Sequence, residues 1–103
     1  MRTGTRLPTL PGKETLILEL LSDGQEMYGL QLVAASRRRL KRGTVYVTLA
    51  RMEEKGFLTS RAESAPPDVG GLPRRLYAAT PYGLRVLAAW ADMARQLIPE
   101  LAR

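Results

Sequence analysis

Gly43-Thr44-Val45-Tyr46-Val47-Thr48-Leu49-Ala50-Arg51-Met52-Glu53-Glu54-Lys55-Gly56-Phe57-Leu58, followed further on by Arg74-Arg75-Leu76-Tyr77, Thr80 and Gly83, spells a helix, a hairpin and a second helix. The first helix starts at the Gly-Thr pair and stops at Gly56, where a glycine can take the left-handed conformation that closes a helix. Val45, Leu49 and Met52 recur at i, i+4, i+7 and are expected to face the core. Thr44, Val47, Thr48, Arg51 and Lys55 are expected on the opposite side. Arg can bond guanine O6 and N7 together, and Thr can offer a hydroxyl or a methyl, so this outward face suits a DNA major groove. Taken alone, it also suits an ordinary amphipathic helix with a solvated stripe; the basic hairpin next to it favours DNA. Glu53 and Glu54 oppose DNA contact and are expected towards the side or back, paired with neighbouring cations.

Downstream, Phe57 to Glu63 and Arg74 to Ala79 alternate over strand-like lengths and are expected to pair. The Ser64–Pro73 segment between them is too rich in Pro and Gly for regular structure and too long for a tight turn, which makes the hairpin a wing. Strand alternation puts Arg74 and Arg75 on opposite faces, so at least one points away from the core, towards phosphate or the minor groove. Thr80-Pro81 then supplies a hydroxyl N-cap and a proline at the first helical position. The helix that follows runs towards Ile98 and is ended by Pro99. Its apolar residues form two stripes: Leu84, Leu87, Ala91, Ala94 and Ile98, and alongside them Val86, Trp90, Met93 and Leu97. One stripe can be buried on the domain itself. The other is expected to bury itself against a second copy, which would set two reading heads against a palindromic site.

Upstream, residues 1–12 carry prolines, glycines and arginines without apolar periodicity and read as a flexible basic arm. Order is expected from Lys13. Leu16, Ile17, Leu20 and Leu21 mark a first helix ended by Ser22-Asp23-Gly24. Met27 to Arg39 reads as a second helix with a Leu30, Val33, Ala34 stripe, and Gly29 near its start suggests close packing. The run Arg37-Arg38-Arg39-Leu40-Lys41-Arg42 places five cations in six positions. Such a run is equally at home as a solvated loop, but in a helix-turn-helix it lies near the phosphate backbone.

The whole chain has 103 residues with sixteen Lys and Arg against ten Asp and Glu, giving a formal charge of +6. That length suits one domain, and that charge favours polyanionic partners. No apolar run approaches the roughly 20 residues of a membrane span, and the N-terminus lacks a secretion-type apolar stretch, so a cytoplasmic protein is expected. With no Cys and no His, thiolate and imidazole metal sites and Ser-His or Cys-His catalytic pairs are excluded, and no cofactor or metal is expected. The acidic residues, Asp23, Asp68, Asp92 and seven Glu, form no constellation with a nucleophile, so an enzyme is not expected.

Gly43-Thr44-Val45-Tyr46, Leu49, Arg51-Met52-Glu53, Lys55-Gly56, Phe57-Leu58 and Arg75-Leu76-Tyr77 with Thr80 and Gly83 together resemble the PadR family of bacterial transcriptional regulators. Tyr28-Gly29 after a leucine-rich first helix resembles the same family's second helix. The short tail is similar to its compact subgroup, and the likeness spans Leu16 to Trp90. The resemblance implies a homodimeric winged-helix repressor on double-stranded DNA, with C-terminal helices making the dimer and a small aromatic effector relieving repression. In some compact members a tryptophan on the last helix stacks flat ligands, which points here to a pocket around Trp90 and Met93.

The expected fold is mainly α with a small β-hairpin: a flexible arm (1–12), a winged helix-turn-helix (13–80) and a C-terminal dimerisation helix (81–103). The expected DNA contacts are Tyr28, Lys41, Arg42, Thr44, Val47, Thr48, Arg51, Lys55, Arg74 and Arg75. Dimer contacts are expected from Leu84, Leu87, Trp90, Ala91, Ala94, Leu97 and Ile98. The alternative reading is a winged-helix module binding an acidic protein partner, though a protein interface would more often expose aromatic anchors on the surface where Thr48, Arg51 and the wing are expected to meet.

Overall fold

The computed structural model describes residues 7–63 and 74–98. Their elements are α1 (Gly12–Leu20), β1 (Met27–Tyr28), α2 (Gly29–Ala35), α3 (Val45–Glu54), β2 (Leu58–Glu63), β3 (Arg74–Ala79) and α4 (Pro81–Leu97). The strands form one antiparallel sheet in the order β1-β3-β2. Leu58 pairs with Ala79 and Glu63 with Arg74, the two ends of the β2–β3 ladder. The expected wing tip, Ser64–Pro73, lies outside the described residues, as do residues 1–6 of the expected arm and Pro99.

The core is built from α1 outwards. Ile17, Leu18 and Leu21 are fully buried and meet Leu32 of α2, Leu49 and Met52 of α3, and Phe57 at the entrance to β2. Burial on more than one side of α1 follows from its position, packed against α2, α3 and α4. Fully burying one such side chain is worth about 1.5–3 kcal/mol, so the shared core fixes the relative placement of all four helices.

Three local features put α3 in place. Its C-terminus closes on Gly56 at φ 83°: the Phe57 N–H donates to the Met52 carbonyl at 2.9 Å and the Gly56 N–H to the Glu53 carbonyl at 3.0 Å. These two bonds satisfy carbonyls that the helix end would otherwise leave open. The Thr80 N–H donates to the Phe57 carbonyl at 2.9 Å and its hydroxyl to the Gly56 carbonyl at 2.6 Å, so α4 begins against the turn where α3 ends. The Thr80 hydroxyl also accepts from the Gly83 N–H at 2.9 Å, forming the N-cap that Thr80-Pro81 foretold.

The second helical segment departs from its sequence reading. Met27 and Tyr28 are strand, paired with Tyr77 and Leu76 of β3, and α2 ends at Ala35. Arg37 and Arg38, expected within a helix, have φ 56° and 67°, left-handed values that a helix cannot contain. Of the expected stripe only Val33 packs on the core. Leu30 is 46% exposed and Ala34 is exposed, while Leu32 is the fully buried residue. The cause lies in the loop: Leu40 is buried in the midst of the basic run, and its N–H donates at 3.0 Å to the hydroxyl of buried Ser36. Burying Leu32, Ser36 and Leu40 sets the face of α2.

The arm reading also changes in part. α1 begins at Gly12 with Pro11 at its cap, and Leu10 packs on the core. The Trp90 indole N–H donates to the Pro8 carbonyl at 2.7 Å, tying residues before α1 to α4.

Candidate nucleic-acid interface

The residues of α3 divide cleanly into two faces. Val45, Thr48, Leu49 and Met52 are buried, at i, i+3, i+4 and i+7. That phase turns Val47 outward at 60% exposure and Tyr46 at 49%, with exposed Ala50 and Arg51 on the same side. Two residues expected on this outward face are therefore elsewhere. Thr48 is on the core side, and its hydroxyl lies 3.4 Å from the Thr44 carbonyl of the preceding turn. Lys55 turns back to the buried carboxylate of Glu14 at 2.8 Å. The sequence pattern took Val45, Leu49 and Met52 as the whole core stripe and left out the i+3 position that completes it.

Glu53 and Glu54 separate as well. The Glu53 carboxylate accepts from the Ser60 hydroxyl of β2 at 2.6 Å, so a hydroxyl takes the place of the expected cation. Glu54, expected at the side or back beside a cation, is instead exposed seven residues on from Val47, on the outward face, and makes no ion pair among the described residues.

Around the outward face of α3 stand the other candidates. Lys41, Arg42 and Thr44 are exposed on the approach to the helix. Arg74 and Arg75 are exposed at the start of β3. Arg74 places its guanidinium 5.0 Å from the centre of the Tyr28 ring, a cation–π contact. Tyr28 in turn donates its hydroxyl to the Glu63 carboxylate. That hydrogen bond, helped by burial, raises the Tyr28 pKa above 10.0. One step back from the wing end, Arg61 makes two bonds to Glu26, at 2.7 and 2.9 Å, and this exposed pairing lowers the pKa of the Glu26 carboxyl.

Tyr46 owes its position to a missing side chain. A Cβ built on Gly29 would lie 2.6 Å from Cε1 of the Tyr46 ring, so the ring rests directly against the start of α2. The sequence suggested close packing at Gly29 but gave no indication of the partner. An apolar cleft of about 710 Å³ opens beside this contact, between α2, α3 and β3.

On α4 the residues of both expected stripes split. Val86 is buried and Leu87 packs on the core. Leu84 and Ala94 are partly buried and Ala91 is exposed. Trp90, Met93, Leu97 and Ile98 are exposed, Leu97 to 74%. Met93 lines an open groove with Pro8, Tyr82 and Arg85, and the Trp90 indole N–H donates to the carbonyl of the same Pro8.

No helix among the described residues is long and apolar enough to cross a membrane, and no group of acidic side chains there could hold a metal ion. No curated protein matches the chain. Among solved structures, a PadR family transcription regulator from Clostridium difficile R20291 is 27% identical, with a TM-score of 0.66 over 85% of this chain and 92% of that one. A PadR family transcriptional regulator from Eggerthella lenta is 29% identical, with a TM-score of 0.67 over 87% and 80% of the respective chains. A PadR-like transcription factor from Bacteroides fragilis, at 22% identity and a TM-score of 0.72 over 87% and 86%, shares the fold. Residues 17–89, from α1 through most of α4, match the transcriptional regulator PadR-like family, and with the winged-helix architecture and outward basic surface described above, this DNA-binding regulator belongs to that family.

Proposed function

We propose that the protein is a homodimeric repressor that occupies a promoter, each protomer inserting α3 in a major groove while β3 and the α2–α3 loop hold the phosphate backbone. The observation that carries this reading is the grouping of outward Val47 and Arg51 with exposed Lys41, Arg42, Thr44, Arg74 and Arg75 around one helix. In this reading Arg51 reads bases, Val47 meets a thymine methyl, and the remaining cations neutralise phosphate. Tyr28 contributes by holding Arg74. Thr48 and Lys55 have no part in the contact, given their burial and pairing. The exposed apolar residues of α4, Trp90, Met93, Leu97 and Ile98, form the contact between copies, because a helix face of that character is stable when covered. Function on DNA places the protein in the cytoplasm.

The test is binding to the DNA upstream of the protein's own gene against an equal-length random duplex, each across a salt series. Tighter binding to the native fragment that survives physiological salt supports the reading. Equal binding that disappears with salt counts against sequence-specific repression and returns attention to an acidic protein partner.

A further inference from the structure

Two helices of this chain close with the same pair of hydrogen bonds but with different residues. At the end of α3 the Phe57 N–H reaches the Met52 carbonyl and the Gly56 N–H the Glu53 carbonyl, with Gly56 left-handed at φ 83°. At the end of α2 the Arg38 N–H donates to the Val33 carbonyl at 3.3 Å and the Arg37 N–H to the Ala34 carbonyl at 3.1 Å. Arg37, at φ 56°, therefore stands where α3 has its glycine, and Arg38 follows with a second left-handed value of 67°. Glycine is the usual residue in such a closure, because in the left-handed region a Cβ crowds the following carbonyl oxygen.

The shape of this loop is set by its neighbours. Ser36 and Leu40 on either side are buried and joined by the Leu40 N–H to the Ser36 hydroxyl, so the three residues between them must turn back on themselves. Nothing in that turn calls for arginine. Arg37, Arg38 and Arg39 are all exposed, and none of them makes an ion pair or a cation–π contact among the described residues. Solubility does not account for the choice either, since exposed positions of the helices would carry a cation without strain. A side chain kept where the backbone disfavours it, and without a partner in its own chain, points to a partner outside the chain. The loop continues through exposed Lys41, Arg42 and Thr44 into α3, which makes that partner a polyanion already close at hand.

We propose that Arg37 and Arg38 contact DNA phosphates, extending the binding surface from the start of α3 back to the end of α2, and that they do so against the conformational preference of the backbone. The contact rests on the DNA-binding reading above; the strain does not.

The experiment uses the full chain and its Arg37→Gly, Arg37→Ala, Arg37→Lys, Arg38→Gly, Arg38→Ala and Arg38→Lys variants. Each is melted, then titrated with the DNA upstream of the protein's own gene and with a random duplex across a salt series. The Ala variants are expected to melt with the parent and the Gly variants a few degrees higher, because only glycine relieves the left-handed strain. Gly and Ala variants should bind both duplexes several-fold more weakly, with a salt slope smaller by about one, and the Lys variants should keep the parent's slope. Parental affinity and slope in the Gly and Ala variants overturn the contact. So does a loss confined to the native fragment, which would mean base reading, and so does a loss in the Gly variants alone, which would mean that DNA needs the shape of the loop and not its charge. Gly variants that melt no higher than their Ala counterparts overturn the strain. A parent that binds neither duplex brings down the DNA reading and the contact with it, a failure visible before any variant is titrated, while the melting comparison still decides the strain.

Discussion

Lys55 of the α3 C-terminus and Glu14 of the first turn of α1 form an ion pair at 2.8 Å, with the Glu14 side chain only 2% exposed. A cation that the sequence offers to DNA thus serves to join α3 to the helix at the centre of the core. Removing one partner of such a pair strands the other as a buried charge. Lys55→Met is expected to cost roughly 2–4 kcal/mol in urea unfolding. Its salt dependence of DNA binding should match the parent's. Unchanged stability with a salt slope smaller by about one would instead return Lys55 to the phosphate contacts.

Gly83 faces the Phe57 backbone so closely that an added Cβ would collide with the Phe57 carbonyl oxygen and lie 3.0 Å from its Cα. Backbone cannot swing aside as a side-chain tip can. Gly83→Ala is expected to destabilise by about 3 kcal/mol, even though alanine is the better helix former. Thermal melting within a degree of the parent would show that α4 can slide from its seat.

Gly29→Ala meets a softer obstacle, the outer end of the half-exposed Tyr46 ring. Stability should change by less than about 1 kcal/mol, because the ring can rotate away and the helix start gains propensity. Specific DNA binding should nevertheless fall, since Tyr46 is displaced from the outward face of α3. In a double-mutant cycle, Gly29→Ala on a Tyr46→Ala background should cost no further affinity. Additive losses would show that the two residues act independently.

Tyr28 donates to the Glu63 carboxylate, and this bond together with burial raises its pKa from 10.0. A raised pKa means that the folded state holds the proton more tightly than the unfolded state. The stabilisation is complete below the unfolded value and is lost as pH rises through the folded one. Absorbance titration of the phenolates should contain a component above 10.0 that Tyr28→Phe removes, and the parent should lose stability over that interval more steeply than the variant. Superimposable alkaline curves would mean that the Glu63 bond is absent in solution.

The sequence disclosed the elements that end sharply and left the shared surfaces hidden. Gly56 and Thr80-Pro81 mark boundaries by local chemistry, a left-handed closure and a hydroxyl cap, and both were readable one residue at a time. The face of α2 was not, because it depends on Leu40, an apolar residue among five cations that only the folded loop shows to be a core member. β1 escaped for a similar reason: a strand of two residues has no periodicity, and it exists by pairing with Tyr77 and Leu76. The outward placement of Val47 and Arg51 was legible from helical phase, and the exposure of Arg74 and Arg75 from their place on the wing strand. Thr48 and Lys55 were misplaced because a three-residue apolar pattern leaves the helix free to turn by a fraction of its circumference. A buried acid such as Glu14 gives no sign of itself in a sequence, where it looks like any first-turn carboxylate.

The anchoring of α4 on the end of α3, through Thr80 to the Gly56 and Phe57 carbonyls and through the bare backbone of Gly83, makes these two helices a single bracket. Should two copies join along α4, the bracket acts as a caliper whose jaws are the two α3 helices. The distance between operator half-sites then becomes a mechanical property of how the α4 pair crosses. Substitutions on the outer face of α4, far from any base, would be expected to alter which half-site spacing is accepted without altering the half-site itself.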